Sequence, residues 1–380
     1  MAQMLDKIKE RLQGLKGLTS ALARPRHVLG VDIGSYAVKV VLMAAEKGIP
    51  MLKAWGYLPL GLGPEASAEE RKARATDVLR AFIAENGIGL KESATSLSGN
   101  SVIVRYVKFP RLAPSEIAAV LATEAEPFIP FDINEVQLGF HVLGEAMEEG
   151  QKKTELVLVA AKKELVSARL EILQNAGLNP AIIDVDSFAL ENVYEKRRGP
   201  ATPGGAILCL NIGHSVTNFS VMENGVTRVV RDIFISGGTL TKAVMKALQV
   251  DAAKAEELKR AHGLVLDAAQ TEQALKAGSH EILGVSQALA AVIKDLVAEL
   301  RRSVDFYLSQ GSERTIGQVL LSGGTAKLPH LAEHLSVELK VPVSIVDPFA
   351  FLQRPPADLP AAMAPAFAVA AGLALRRYGD

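Results

Sequence analysis

VLGVDIGSYAVKVVLM, Val28 to Met43, and ILCLNIGHSVTNFSVM, Ile207 to Met222, carry the same pattern. Laid over each other without a gap, Asp32 meets Asn211, Ile33 meets Ile212, Gly34 meets Gly213 and Met43 meets Met222. Each copy is an apolar run, a small polar turn opened by Gly, and a second strand-like run, which predicts a hairpin. Two related hairpins this far apart in one chain predict two related half-domains facing one another. Their turns are placed to hold a phosphate chain between them.

The chain has 380 residues, enough for two or more domains with sizeable cores. Nearly half of them are apolar and the formal net charge is zero, which argues against a disordered chain and a basic nucleic-acid binder. Aromatics are sparse, so a stacking platform for single strands is not expected. The single cysteine, Cys209, lies in an apolar strand and reads as a small core residue; with no internal disulfide possible, a reducing compartment is expected. The N-terminus has no uninterrupted apolar stretch of a signal peptide, and no run is long enough to span a bilayer. Ala361 to Leu375 is short, Ala-rich and interrupted by Pro365, and reads as a buried helix.

Residues 1–27 stand apart. Met4, Leu5, Ile8, Leu12, Leu15, Leu18 and Leu22 share a helical face and the charges are mainly basic, so this segment is expected to touch a membrane surface or a partner. From Val28 the pattern is α/β. A helix is predicted from Ser67 to Glu85 with a cap at Asn86-Gly87, and strands over Ala94–Ser98 and Ser101–Phe109. A helix opening at Pro114 and a strand over Glu135–Leu143 suggest a small α+β insert, closed by a charged turn over Met147–Lys153. Arg197 to Gly205 reads as a Pro/Gly linker. The second half runs through several helices to about Gln310, then a strand ending in Ser322-Gly323-Gly324-Thr325.

A phosphate chain needs backbone N–H groups pointing inward from a turn with no Cβ in the way. Gly34 and Gly213 are expected to meet that need, with Ser35 and Ser215 adding hydroxyls and Lys39 a cation. Asp32 is expected to hold Mg²⁺ through water, because Mg²⁺ sheds its hydration shell reluctantly. The Gly323-Gly324 corner lets a flat base or its sugar approach the backbone. Glu256 and Lys259 share one helix face, suited to a ribose edge or to a surface ion pair.

In order and spacing these pieces resemble the actin-like ATPase superfamily. The first hairpin resembles its phosphate-1 motif at Asp32, Gly34 and Lys39; the second resembles phosphate-2 at Asn211, Gly213 and His214. Ser322 to Thr325, followed by Pro329, resembles the adenosine motif. Ile183 to Ala189, IDVDSFA, resembles the connecting helix that supplies a catalytic group near the attacking water, here Asp186. The strings LGVDIGSYAVKVV, SVIVRYVKFPRL, EAEPFIPFDINEV, AIIDVDSFALENVYE, RDIFISGGTLTKAV and SGGTAKLPHL resemble the PilM family of type IV pilus assembly proteins, relatives of FtsA.

The resemblance implies a ribonuclease H-like, actin-like two-lobed α/β fold with a small α+β insert in the first lobe. Its expected division is 28–100 with 154–200 and 358–380 for the first lobe, 101–153 for the insert, 204–240 with 316–350 for the second lobe, and 241–315 for a mostly helical subdomain. It implies ATP or ADP with Mg²⁺ between the lobes and at most slow hydrolysis. It also implies an adaptor docking the N-terminal cytoplasmic tail of a PilN-like inner-membrane protein in a groove between insert and first lobe. Cytoplasmic placement follows, peripheral to the inner membrane, with membrane contact indirect or through residues 1–27 and other pilus assembly components as further partners. Active superfamily members usually carry Asp at phosphate-2, so the neutral Asn211 argues for slow turnover.

The alternatives are an FtsA-like filament former and a small-molecule kinase of the same fold, for which no carboxylate base is supplied by a sugar-kinase signature. His330-Leu331-Ala332-Glu333-His334 matches an inverted zinc-peptidase pattern, with both histidines expected on one helix face and no third ligand nearby.

Overall fold

In a computed structural model, β1 (Leu29–Ile33) and β2 (Ala37–Glu46) pair antiparallel with Asp32 opposite Lys39. Further along the chain, β9 (Ala206–Ile212) and β10 (Thr217–Glu223) pair in the equivalent register, with Asn211 opposite Asn218. The structure describes residues 27–46, 49–110, 114–148, 150–196, 205–265, 272, 275–276, 279–311, 313–353 and 358–376. The basic segment, apart from His27, and the linker, apart from Gly205, lie outside the described residues.

The likeness of the hairpins extends to whole sheets. In the first lobe, β3 (Ile49–Pro59), β4 (Glu92–Leu97) and β8 (Asn179–Val185) complete the order β3-β2-β1-β4-β8. In the second, β11 (Val226–Ile233), β12 (Ile316–Ser322) and β13 (Val343–Ile345) give β11-β10-β9-β12-β13. Directions match too: each sheet has an antiparallel meander followed by two parallel strands.

Helix α1 (Ala68–Glu85) starts at Ser67, whose hydroxyl caps the Glu70 N–H while the Glu70 carboxylate returns to the Ser67 N–H. Its apolar face, including Leu79 and Phe82, closes the first sheet's core.

The insert comprises β5 (Val102–Pro110), α2 (Pro114–Ala125), β6 (Val136–Glu148) and β7 (Gln151–Lys162), with sheet order β5-β7-β6. The charged turn expected over Met147–Lys153 is instead mostly strand, because pairing continues to Glu148 opposite Gln151. Its charges pair across strands, Lys108 with Glu148 at 3.2 Å and Lys152 with Glu145 at 3.5 Å. Ile117, Leu121 and Ala125 of α2 cluster with Leu156, Leu158 and Ala160 of β7.

From β7 the chain returns to the first lobe through α3 (Lys163–Asn175), and β8 leads into α4 (Asp186–Lys196). The second lobe adds α5 (Gly237–Leu248), α6 (Ala252–His262), the long α7 (His280–Leu308) and α8 (Leu331–Leu339). Among the described residues, no helix is long and apolar enough to cross a membrane.

The Ala-rich C-terminus forms a 3₁₀ turn, Ala361–Phe367, and then α9 (Ala368–Ala374), whose residues are all buried. It shares one core with Val41 and Met43 of the first lobe and Cys209, Met222 and Leu320 of the second. Small residues are required here because backbones nearly touch. A Cβ on Gly30 would lie 2.1 Å from the Ala370 carbonyl oxygen, and one on Gly372 would lie 1.8 Å from that of Ala189. Gly30→Ala is therefore expected to lower unfolding free energy by about 2 kcal/mol or more. Gly89→Ala, where an added Cβ meets nothing within 4 Å, is the control. Urea unfolding of both variants checks this.

Candidate functional site

The two hairpin turns meet at the mouth of a cleft between the lobes. Ser35 Oγ and Ser215 Oγ are 2.6 Å apart, and the Tyr36 and His214 rings lie 5.4 Å apart. The cleft has a volume of about 590 Å³ and is lined from both lobes.

The glycine N–H groups expected to face a ligand close the turns instead. Gly34 N–H donates to the Ala37 carbonyl at 3.2 Å and Gly213 N–H to that of Val216 at 2.9 Å. The N–H groups of Ser35, Tyr36, His214 and Ser215 have no acceptor among the described residues. Gly34 is needed for another reason: a Cβ there would lie 2.9 Å from the Ala37 carbonyl oxygen, besides crowding the Lys39 ammonium.

Beneath each turn is a cross-strand polar pair. In the first copy Lys39 Nζ and Asp32 Oδ2 form an ion pair at 2.8 Å. In the second, Asn211 Nδ2 donates to Asn218 Oδ1 at 2.8 Å, and Asn218 Nδ2 donates to Asp232 Oδ1 at 2.9 Å. Asp186, the first residue of α4, accepts from Ser96 Oγ at 2.5 Å. Burial and the neighbouring Asp32 push its carboxyl up to about 6, against the Ser96 and Ser98 hydroxyls that favour the charged form. Arg169 of α3 also lines this floor. It donates to the Ile33 carbonyl at 2.7 Å, and its buried Nε has no partner among the described residues.

At the opposite wall, Glu256 and Lys259 form an enclosed network rather than an open ribose clamp. Lys259 Nζ donates to Glu256 Oε2 at 2.5 Å, Thr241 Oγ1 at 2.8 Å and the Gly237 carbonyl at 3.2 Å. Those acceptors match an ammonium's donors, so Lys259 has none left for a ligand. Burial raises the Glu256 carboxyl, but Lys259, Thr241 and Arg260 outweigh it and hold it below its ordinary range. Burial, then the Lys259 charge, lowers the His214 imidazole, which keeps it neutral at pH 7. Arg260 reaches over the Tyr36 ring and Lys327 over that of Tyr57.

Gly324 and Thr325 line the cleft, whereas Gly323 does not. Gly323 has φ +92°, and a Cβ there would lie 2.4 Å from the Ile212 carbonyl oxygen, so it serves the approach of β12 to β9. A Cβ on Gly324 would meet nothing within 4 Å. His330 precedes α8 at φ +64°, so the two histidines of the zinc-like pattern do not share a helical face. Among the described residues no group of His, Cys, Asp and Glu is arranged to hold a metal.

A second concavity of about 600 Å³ lies between the insert and the first lobe. Tyr106, Leu143, Val157 and Val159 of the insert face Val185 and Phe188. Ile183 is exposed on the same side. Its polar residues include Asp184, bonded to Arg376 at 2.6 Å, and Glu191, which accepts from Thr227 Oγ1 at 2.5 Å. The sequence DVD thus sends Asp184 to the groove and Asp186 to the cleft.

A family model described as type IV pilus assembly protein PilM matches residues 30–378. The chain belongs to the PilM family. It is similar to a solved structure described as a PilM-PilN type IV pilus biogenesis complex, at 29% identity over 93% of this chain and 98% of that one, with a TM-score of 0.78. At 15% identity it shares its fold with ethanolamine utilization protein EutJ from Carboxydothermus hydrogenoformans, covering 94% of this chain and 91% of that one at TM-score 0.52. At 12% it shares the fold with MreB 5 of Spiroplasma citri bound to AMPPNP, covering 92% and 95% at TM-score 0.50. The fold is actin-like.

Reading the motifs missed Arg169, Ser96, Asn218 and Asp232. Asn218 was within reach, because the gapless overlay puts it opposite Lys39. Ser96 and Arg169 reach the floor only through folding, and Asp232 stands behind Asn218 without lining the cleft.

The Asp186 carboxyl also makes a pH prediction. Its folded value lies above the ordinary 3.8, so the charged form costs stability above about pH 6, and that cost fades as pH falls toward 4. Asp186→Asn is expected to be more stable than the parent at pH 8 by about 1–3 kcal/mol, with the gap closing near pH 4. Thermal melts across that range check it.

Proposed function

We propose that this chain is an ATP-binding adaptor of type IV pilus assembly. It holds the N-terminal cytoplasmic tail of a PilN-like inner-membrane protein in the groove between insert and first lobe, and nucleotide state is its switch. The observation that carries the reading is the pair of concavities on one actin-like frame: a cleft between equivalent turns, lined by Asp32, Lys39, Arg169 and Asp186, and a groove beside the insert, lined by Tyr106, Leu143, Val157 and Phe188. The likeness to a PilM-PilN complex supports the partner, and the likeness to an AMPPNP-bound MreB 5 is consistent with the ligand. A cytoplasmic protein at the inner membrane follows from that partner.

The cleft fits a nucleotide. The free N–H groups of Ser35, Tyr36, His214 and Ser215 suit phosphate oxygens, with Lys39 as the nearby cation. The open space at Gly324 leaves room for a sugar or base. Mg²⁺, when bound, offsets phosphate charge; Asp32, a carboxylate lining the cleft beneath the first turn, is the residue to hold it, through water, because Mg²⁺ keeps most of its hydration shell. Asp186, which lines the cleft, is the residue we assign to orienting a water at the outer phosphate. Asn211 is neutral and adds no negative charge there, so turnover is slow. A ligand touching both turns favours the closed arrangement of the lobes.

Calorimetry with Mg-ATP is expected to show binding that Gly324→Val abolishes and Asp32→Ala weakens about tenfold or more. Phosphate release stays well below about 1 per second. A fluorescent peptide of the PilN-like tail is expected to bind, and Phe188→Asp to weaken it about tenfold or more while leaving Mg-ATP binding intact. Failure of the peptide to bind the parent protein overturns the adaptor reading.

A further inference from the structure

Strand β11 belongs to the second lobe but touches both concavities. Val226 and Thr227, at its start, line the groove; Phe234, just past its end, lines the cleft. Between them, Val230 packs on the cluster of Val104, Val157 and Val185 from the insert and first lobe. Polar links cross from the same strand: Thr227 Oγ1 to Glu191 Oε2 at 2.5 Å and Arg228 Nη1 to Glu155 Oε1 at 3.4 Å.

Near its cleft end, Asp232 joins the lobes. Its Oδ2 accepts the N–H of Gly99, at the bend where β4 leaves the first sheet for the insert. The Gly99 carbonyl in turn accepts the Val102 N–H, and Ser101 accepts that of Lys162, so this bend sets the root of β5 and the end of β7. The other oxygen, Oδ1, accepts from Asn218. A directed chain results: Ser322 Oγ donates to Asn211 Oδ1 at 3.2 Å, Asn211 to Asn218, and Asn218 to Asp232.

The direction is forced by chemistry. Gly99 N–H can only donate, and the Asn218 amide presents its NH₂ to Asp232, so position 232 must accept twice. A carboxylate does this; an amide oriented to accept from one partner turns its own NH₂ toward the other. With the Asn218 NH₂ committed to Asp232, its carbonyl faces position 211 and needs a donor there. Asn211 supplies that donor, which an ionised Asp cannot.

We infer that Asp232 is the positioning residue coupling the cleft to the groove: it ties the Asn211–Asn218 pair beneath the second turn to Gly99 at the root of the insert, so that β11 carries lobe movement into the groove. The inference rests on the proposed nucleotide and tail sites.

The test uses the full chain, a fluorescein-labelled peptide of the PilN-like tail, and AMPPNP with Mg²⁺. In the parent protein, saturating AMPPNP is expected to change peptide affinity by about fivefold or more. In Asp232→Ala, which removes both acceptors, that factor is expected to fall to near one, while peptide affinity without nucleotide and AMPPNP affinity without peptide each stay within about twofold. The exchange Asn218→Asp with Asp232→Asn restores acceptors and donors, because the carboxylate moved to position 218 accepts both from Asn211 and from the amide moved to position 232. It is expected to restore the factor. A folding defect in the single variant appears in its melt, and the exchange variant still decides the matter. Coupling that persists in Asp232→Ala, that stays lost in a folded exchange variant, or that is absent from a parent protein binding both ligands, overturns the inference and leaves the two sites standing. A parent protein that binds neither ligand overturns the functional reading itself.

Discussion

The seat of helix α9, whose core both lobes share, depends on its near-contact with the backbones of β1 and α4 in the first lobe. Gly30 of β1 and Gly372 of α9 leave no room for a Cβ, and Ala fills most of the remaining helix. Close packing without side chains fixes separation more firmly than long flexible side chains do, because backbone atoms cannot move aside. The same core takes in Met43 and Met222, the matching last residues of the two opening segments, so both hairpins feed one core. At the mouth of the cleft between the lobes, Ser35 meets Ser215.

Within this frame the two copies have diverged where chemistry is concentrated. The cross-strand pair is Asp32 with Lys39 in the first lobe and Asn211 with Asn218 in the second. The first keeps a charge pair at the cleft. The second is neutral, and its amides hand their hydrogen bonds on to Asp232, where burial raises the carboxyl and the bonds from Gly99 and Asn218 oppose that rise. One lobe thus carries the ionic chemistry, and the other carries a connection to the insert.

Much of this was legible in the chain. The repeated hairpin, the two related half-domains it implied, and the buried Ala-rich end all follow from apolar periodicity and small-residue patterns, which are local. The helix expected from Ser67 is α1, and the structure adds that Ser67 and Glu70 cap its start. The charged stretch around Met147 misled because strand pairing neutralises Lys152 and Lys108 with partners elsewhere in sequence. Glu256 and Lys259 misled in another way: their spacing is the same in an exposed pair and in the buried network that Thr241 and Gly237 complete.

By itself the sequence determined the two-lobed frame, the turns and the residues at their tips, because these rest on short-range geometry and a family pattern. Only the tertiary structure decided which groups stand free in the cleft. Gly34 and Gly213 spend their N–H groups closing the turns, Gly323 packs against β9, and Arg169 arrives at the floor from α3. It also decided that β11 reaches both concavities, since a donor's partner and a strand's neighbours are set by distances in space that no spacing along the chain encodes.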